Sequence, residues 1–265
     1  MKTLSTPGRL LFIALIIVIL PMLAEAKKKS PVLHFAGWKA GTKCMSSGRK
    51  TGKHRIVAAL SEKRLIVLEA AEMYSEMQLK DSGMNEKALL YALLGYHRLV
   101  KKHRLNKTGI LSICDFSQSS ASKRMYVIDV RNRRLIYRTY VAHGIRSGRE
   151  YANSFSNTPE SYKSSLGFYV TRNAYLGSNG LSLRIDGMER GFNDRARQRS
   201  IVIHGAPYVS ERILHKYGLM GTTFGCPAIP EEMAAQVIPV LKNGTCFFVY
   251  FPSRRYLSGS SVLNG

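Results

Sequence analysis

Arg124-Met-Tyr-Val-Ile-Asp-Val130 and Leu135-Ile-Tyr-Arg-Thr-Tyr-Val141 flank the polar stretch Arg131-Asn132-Arg133-Arg134. Both flanks are rich in β-branched and aromatic residues, and together they read as a β-hairpin. The same period of two runs outward from it. Ile110–Cys114 precedes the hairpin as a short strand. Gly167–Thr171, Leu181–Ile185, Ser200–His204 and Thr245–Phe251 follow it, separated by Gly-, Ser- and Asn-rich loops such as residues 144–165. Residues 107–252 therefore predict a mostly antiparallel β domain. A helix is expected over Pro230–Leu241, opened by Glu231 and Glu232 at its positive end.

Upstream of Gly109 the period lengthens. Residues 56–78 place Leu60, Ile66, Val67, Ala70, Met73 and Met77 near helical spacing, and Asp81-Ser82-Gly83 breaks the run. Asn85 is the expected cap of a second helix through Lys102, with Leu89, Ala92, Leu93, Tyr96 and Leu99 on its apolar face. His97 and His103 are expected at its surface. Residues 56–106 thus form a helical N-terminal region packed on the β domain, and the fold class is α+β. Residues 253–265 read as a C-terminal tail.

The chain has 265 residues, with 40 Lys+Arg against 17 Asp+Glu and a formal charge of +23. That length admits one large domain or two small ones. A hydrophobic share of 45% excludes a disordered chain and a polytopic membrane protein. The charge seeks polyanions: nucleic acid, anionic lipid or acidic envelope polymers. The N-terminus narrows these. Lys2 and Arg9 lead into an unbroken apolar run, Leu10–Leu20, which Pro21 ends, and Ala24-Glu25-Ala26 supplies the small residues of a cleavage site. Residues 1–26 therefore read as a secretory signal, with an uncleaved anchor as the alternative. An exported, periplasmic or cell-envelope protein is expected, and nucleic acid is not expected as its partner. Residues 27–55 hold nine Lys/Arg and no Asp or Glu. They read as a flexible basic tether toward anionic envelope polymers or a lipid surface.

The chemistry-bearing residues lie near the C-terminus. Ile201-Val-Ile-His204-Gly205 ends a strand in a histidine, and Thr223-Phe224-Gly225-Cys226-Pro227 follows. A cysteine needs a base to become a thiolate near neutral pH, and histidine is the usual one. Backbone N–H groups at Gly225 and Cys226 are candidates for an oxyanion hole. Taken alone, the pair is equally a buried structural cysteine and a strand-end histidine. His143 precedes Gly144 as His204 precedes Gly205, so it either lines the same cleft or is a hydrogen-bonded structural residue. Ser156, Asn157, Ser164 and Ser165 are substrate contacts or ordinary turn residues. Arg184 and Arg199 suit a carboxylate but read as solvated surface, and His215 reads as part of a polar loop. Cys114 and Cys246 lie in apolar strands, either buried as thiols or bridged.

An ordered set of motifs runs through the chain: Val141-Ala-His-Gly144, Phe155-Ser-Asn157, Ser164-Ser-Leu-Gly-Phe-Tyr169, Arg199-Ser-Ile-Val-Ile-His-Gly205 and Gly225-Cys-Pro-Ala228. In this order they resemble the L,D-transpeptidases, the YkuD-like cysteine enzymes of bacterial cell walls, in their murein L,D-transpeptidase catalytic-domain branch. The resemblance covers about residues 60–252. It implies Cys226 as nucleophile and His204 as its base, with Gly205 orienting the imidazole, Gly225 at the oxyanion position and Thr223 in the family's Ser/Thr slot. Phe224, His143, Tyr208 and Ser165 are the candidate substrate-binding residues. The implied substrate is a peptidoglycan tetrapeptide stem, which loses its terminal D-Ala and passes to an amine, or to water in an L,D-carboxypeptidase. A non-catalytic envelope-binding protein is the remaining alternative. No metal or organic cofactor is implied. Two departures stand out: Phe224 replaces a second histidine common before Gly-Cys, and Pro227-Ala228 replaces a polar residue common after it.

Overall fold

A computed structural model describes the backbone from Gly52 to Gly265 and side chains from Glu62 onward. The expected signal at 1–26 and most of the basic stretch 27–55 lie outside the described residues. Helix α1 (Gly52–Glu76) begins inside that stretch. No helix among the described residues is long and apolar enough to cross a membrane.

Helix α2 (Glu86–Lys101) starts where the sequence places its cap. The Asn85 side chain accepts the Lys87 N–H at 2.9 Å, and the Asn85 N–H donates to Asp115 at 2.9 Å. The helix is therefore fixed at its first turn to the end of strand β1 (Ile110–Asp115). Its apolar face, Leu89, Ala92, Leu93 and Leu99, is buried. His97, expected at the surface, is instead half-buried and meets Glu69 at 2.7 Å, joining α2 to α1.

The predicted hairpin is present as β2 (Met125–Asp129) and β3 (Arg134–Thr139), paired antiparallel. β4 (Gly167–Gly177) and β5 (Gly180–Gly187) form a second, longer hairpin. β6 (Val202–Gly205), helix α3 (Glu211–Tyr217), β7 (Ala228–Ile229), helix α4 (Glu231–Leu241) and β8 (Cys246–Tyr250) complete one eight-stranded sheet of order β3-β2-β1-β8-β4-β5-β6-β7. Neighbours are antiparallel except β1 with β8 and β6 with β7. The fold is thus mixed α and β with a mostly antiparallel sheet. His215 lies on α3, a seven-residue helix capped by Ser210, where a loop was expected.

Helix and sheet meet closely at one point. A Cβ on Gly95 of α2 would fall inside the ring of Phe168 on β4. That ring stacks on Phe248 of β8 with centroids 4.1 Å apart. Only glycine admits this approach.

The last residues, expected as a tail, fold as helices α5 (Arg254–Gly259) and α6 (Ser261–Asn264). Tyr256, Ser260 and Val262 are buried. The anchor is Glu189, fully buried after β5. Its Oε2 accepts the Phe168 N–H and the Tyr256 hydroxyl, each at 2.8 Å, and its Oε1 accepts the Ser260 hydroxyl. From the other side, Arg98 of α2 donates to the Val262 carbonyl at 2.7 Å.

Cys114 and Cys246 are buried free thiols. The register explains why no bridge forms: Cys246 lies opposite Leu111, while Cys114 lies opposite Val249.

Candidate active site

Two short parallel strands bring the motifs together. β6 carries His204, and β7 pairs with it so that His204 faces Ala228 and Gly205 faces Ile229. Two residues before β7, Cys226 reaches β6 at Val202. Its sulfur accepts the Val202 N–H at 3.5 Å and points its thiol at the Ser200 carbonyl, 3.7 Å away. Burial pushes the thiol pKa up, while the Val202 N–H and the Arg199 charge oppose that shift.

His204 is 3% exposed. Its Nδ1 lies 2.8 Å from the Gly205 carbonyl. A carbonyl only accepts, so Nδ1 carries the proton and the neutral ring leaves Nε2 with a free lone pair. Burial lowers the imidazole pKa below its ordinary 6.5, with the Gly205 bond opposing. Cysteine and histidine therefore both rest uncharged at neutral pH. The thiol's hydrogen bonds are to the backbone at Ser200 and Val202 and not to the imidazole.

The turn holding Cys226 is built by its neighbours. Thr223 Oγ1 accepts the Gly225 N–H at 2.9 Å and donates to the Cys226 carbonyl at 2.8 Å. Gly225 has φ +124°, and a Cβ there would lie 2.8 Å from the Lys163 carbonyl oxygen. Glycine is required by both constraints. The Gly225 N–H, expected as an oxyanion donor, is engaged by Thr223 in this arrangement. The Cys226 N–H has no partner among the described residues.

Arg199, read as surface, is a half-buried clamp behind this turn. It donates to the carbonyls of Ser156 (2.8 Å) and Lys163 (2.6 Å) and to the hydroxyls of Ser161 and Ser165. Ser165 in turn donates to the Ser156 carbonyl at 2.7 Å. Ser165 is therefore buried, with its hydroxyl engaged by Arg199 and Ser156. Ser164 accepts the Gly144 N–H, and Asn157 donates to Asp194, so these too hold loops.

His143 has the same kind of role. It is 1% exposed, with Nε2 3.0 Å from the Gly148 carbonyl and Nδ1 2.7 Å from Arg124 Nη2. The Gly148 carbonyl places its proton on Nε2, and Nδ1 accepts from Arg124. Burial, with the Arg124 charge adding to it, lowers its pKa to about 4. Arg124 is a residue the sequence reading passed over. It is fully buried, and burial lowers its pKa to about 10. A lone arginine opening the apolar run Met125–Ile128 was its signal.

Two substrate-binding candidates face the solvent side. Tyr208 is half-buried in an open cleft of about 520 Å³ lined also by Ile145, Tyr217 and Thr222, and it lies near enough to feel the charge of a Cys226 thiolate. Phe224 is 72% exposed, its ring 4.8 Å from that of Tyr162. Arg146 sits 5.1 Å from the Tyr162 ring. Among the described residues no group of three His, Cys, Asp or Glu is placed to hold a metal ion.

A family model described as the L,D-transpeptidase catalytic domain matches residues 80–250. No curated protein matches the sequence. Among solved structures, the chain is similar to an L,D-transpeptidase from Mycobacterium smegmatis, at 12% identity and TM-score 0.33 over 54% of this chain and 59% of that chain. It is similar to an L,D-transpeptidase from Stackebrandtia nassauensis at 13% identity and TM-score 0.33, over 63% of this chain and 68% of that one. It is also similar to the helical cell shape determining protein Pgp2 from Campylobacter jejuni at 13% identity and TM-score 0.38, over 60% and 57%. The chain spans less than two thirds of the length of the first of these structures, 59%. The family match runs from before α2 to the end of β8 and takes in Cys226, His204 and the Arg199 clamp. This chain belongs to the L,D-transpeptidase catalytic domain family.

Proposed function

We propose that this protein is a cysteine L,D-transpeptidase acting on peptidoglycan stem peptides. The observation that carries the reading is the tautomer of His204: its proton is held on Nδ1 by the Gly205 carbonyl, which leaves Nε2 as a base on the strand beside Cys226. A thiol whose pKa is raised by burial needs such a base.

The steps follow from these groups. Cys226 turns from the Ser200 carbonyl toward His204, and Nε2 takes the thiol proton. The thiolate attacks the carbonyl of the third, diamino-acid residue of a tetrapeptide stem. The Cys226 N–H is the backbone donor for the resulting oxyanion. The C–N bond to the terminal D-Ala breaks, and the imidazolium returns its proton to the departing amine. An amine of a second stem then attacks the thioester, His204 takes its proton, and sulfur leaves as the thiolate, which the imidazolium reprotonates to restore the resting thiol and neutral imidazole. Charge on the imidazole lasts only within each half-reaction, consistent with a site where burial favours its neutral form.

Mass spectrometry of muropeptides after incubation with purified protein tests this. Crosslinked stems lacking D-Ala, absent with Cys226→Ala, support transfer. Tripeptide products alone replace transfer with L,D-carboxypeptidase action on the same thioester. Sacculus binding without any product, unaltered by Cys226→Ala, would leave only an envelope-binding protein. We also propose export, from the Leu10–Leu20 run and the Ala24-Glu25-Ala26 site. The mass of the exported protein decides between cleavage after Ala26 and retention as an anchor.

A further inference from the structure

Val202 is the residue whose N–H meets the Cys226 sulfur, at 3.5 Å. Its register partner on β5 is Arg184, and two rows along, past Leu183 opposite Ile203, Ser182 lies opposite His204 and His204 opposite Ala228. Paired residues in an antiparallel ladder lie about 5 Å apart between Cα atoms, and alternate residues share a face. Arg184 thus stands one strand from the nucleophile's contact, on the face that carries His204.

Tyr175, Arg184, Ser200 and Val202 line a cleft of about 170 Å³ beside this row. The Arg184 guanidinium rests 4.0 Å from the centre of the Tyr175 ring, which fixes its position without using its N–H donors. The other arginine lining the cleft, Arg197, is bound to Asp186 at 2.9 Å. Asp186 also holds Arg172, at 2.7 Å. Among the described residues, Arg184 has no carboxylate partner. A fixed guanidinium with unused donors is the arrangement that recognises a carboxylate through paired hydrogen bonds.

We propose that Arg184 is a specificity-determining residue that binds a carboxylate at the far end of the acyl residue's side chain. This rests on the transpeptidase reading. The residue whose carbonyl Cys226 attacks must sit at Cys226, and its own side chain is the substituent best placed to cross β6 toward Arg184. Arg184 then selects a diamino acid whose side chain ends in a carboxylate as well as an amine. A lysine side chain, ending only in an ammonium, meets a like charge there.

The test uses the full chain and three tetrapeptide donors that differ only at the third residue: diaminopimelate, its side-chain amide, and lysine. Formation of the Cys226 thioester is followed by intact mass, and kcat/KM ratios are taken within each variant, so partial misfolding does not mimic the effect. Wild-type protein is expected to favour the free carboxylate by about tenfold or more, the range of a charge-assisted hydrogen bond. Arg184→Gln brings the ratio close to one, and Arg184→Lys restores part of it. Lys80→Gln removes the same charge from an exposed position elsewhere and keeps the full ratio. Equal rates for the three donors on the wild type, or a preference surviving in Arg184→Gln, overturn the assignment while leaving the transpeptidase reading standing. Failure of every donor to acylate Cys226 overturns that reading and the assignment with it.

Discussion

The hydroxyl of Thr223 makes two bonds at once, accepting from Gly225 and donating to Cys226. Both set the shape of the turn from which the thiol projects. Thr223→Val keeps the shape of the side chain and loses both bonds, while Thr223→Ser keeps the bonds. The expected result is a roughly tenfold slower acylation of Cys226 in the valine variant, from a loss of about 1–1.5 kcal/mol in positioning, and near-normal rates in the serine variant. Carbapenem adduct formation, read by intact mass, measures this directly, since carbapenems resemble acylating donors for this family. Cys226→Ala forms no adduct.

The pH dependence belongs to the same scale. The His204 pKa is lowered from 6.5 by burial, so its neutral form persists to lower pH than an exposed histidine would allow. Acylation is expected to decline only as pH falls below 6.5. His204→Ala loses that acid limb. Its much slower rate climbs at alkaline pH, beyond the ordinary thiol value of 9.0, because burial raises the Cys226 pKa. Adduct rates across pH 5 to 10 report both limbs, and an unchanged profile in His204→Ala removes the histidine from the base role.

Among the elements, the buried Glu189 ties β4 to α5 and α6 through the Phe168 N–H and the hydroxyls of Tyr256 and Ser260. Glu189→Ala leaves those three donors unsatisfied in the interior. The expected cost is about 2–5 kcal/mol, seen as a lower melting temperature. A second element-level prediction concerns His143, which links the end of the first hairpin to the Gly148 turn. Its folded pKa of about 4 lies below the ordinary 6.5. Below pH 6.5 the unfolded chain therefore binds the proton first. Stability is full above that value and falls as pH drops toward about 4, by up to about 3 kcal/mol. Calorimetry over this window detects the slope, and His143→Gln flattens it.

How far the sequence disclosed these elements depends on their length and on where their partners lie. The hairpin at 124–141 and α2 with its Asn85 cap were legible because each carries several turns or repeats of one period. β7 is two residues long and has no period to read. α3, α5 and α6 are too short to show a period, and the serines that cap them, Ser210, Ser253 and Ser260, look in sequence like ordinary loop residues. In the candidate site, Cys226 and His204 stood out from glycine-flanked motifs, and the fold places them on and beside β6. Arg199 was not, since its partners are carbonyls and hydroxyls about forty residues upstream that no local pattern links to it.

For the molecule as a whole, a formal charge of +23 exceeds what local pairing consumes. Among the described residues the ion pairs draw on few of the cations, such as Arg133 with Glu72 and Glu76. Association with anionic sacculi is expected to weaken steeply with salt, because exposed charges are screened over about 10 Å at 0.1 M. Pelleting with sacculi across a salt series measures it. Binding indifferent to salt would assign recognition to shape instead.

The glycine at position 95 bears on where this chain can be divided. With no side chain there, α2 lies flush against the Phe168 ring, and Phe168 in turn backs Phe248 in the middle of the sheet. Cutting at residue 107, which looks like a natural border between a helical segment and a strand-rich one, uncovers that aromatic pair. A shortened protein beginning there should collect in inclusion bodies or require detergent, whereas one beginning near residue 52 should stay in solution. Gly95→Ala, the smallest lesion available, should reproduce part of the same insolubility in an otherwise full-length chain.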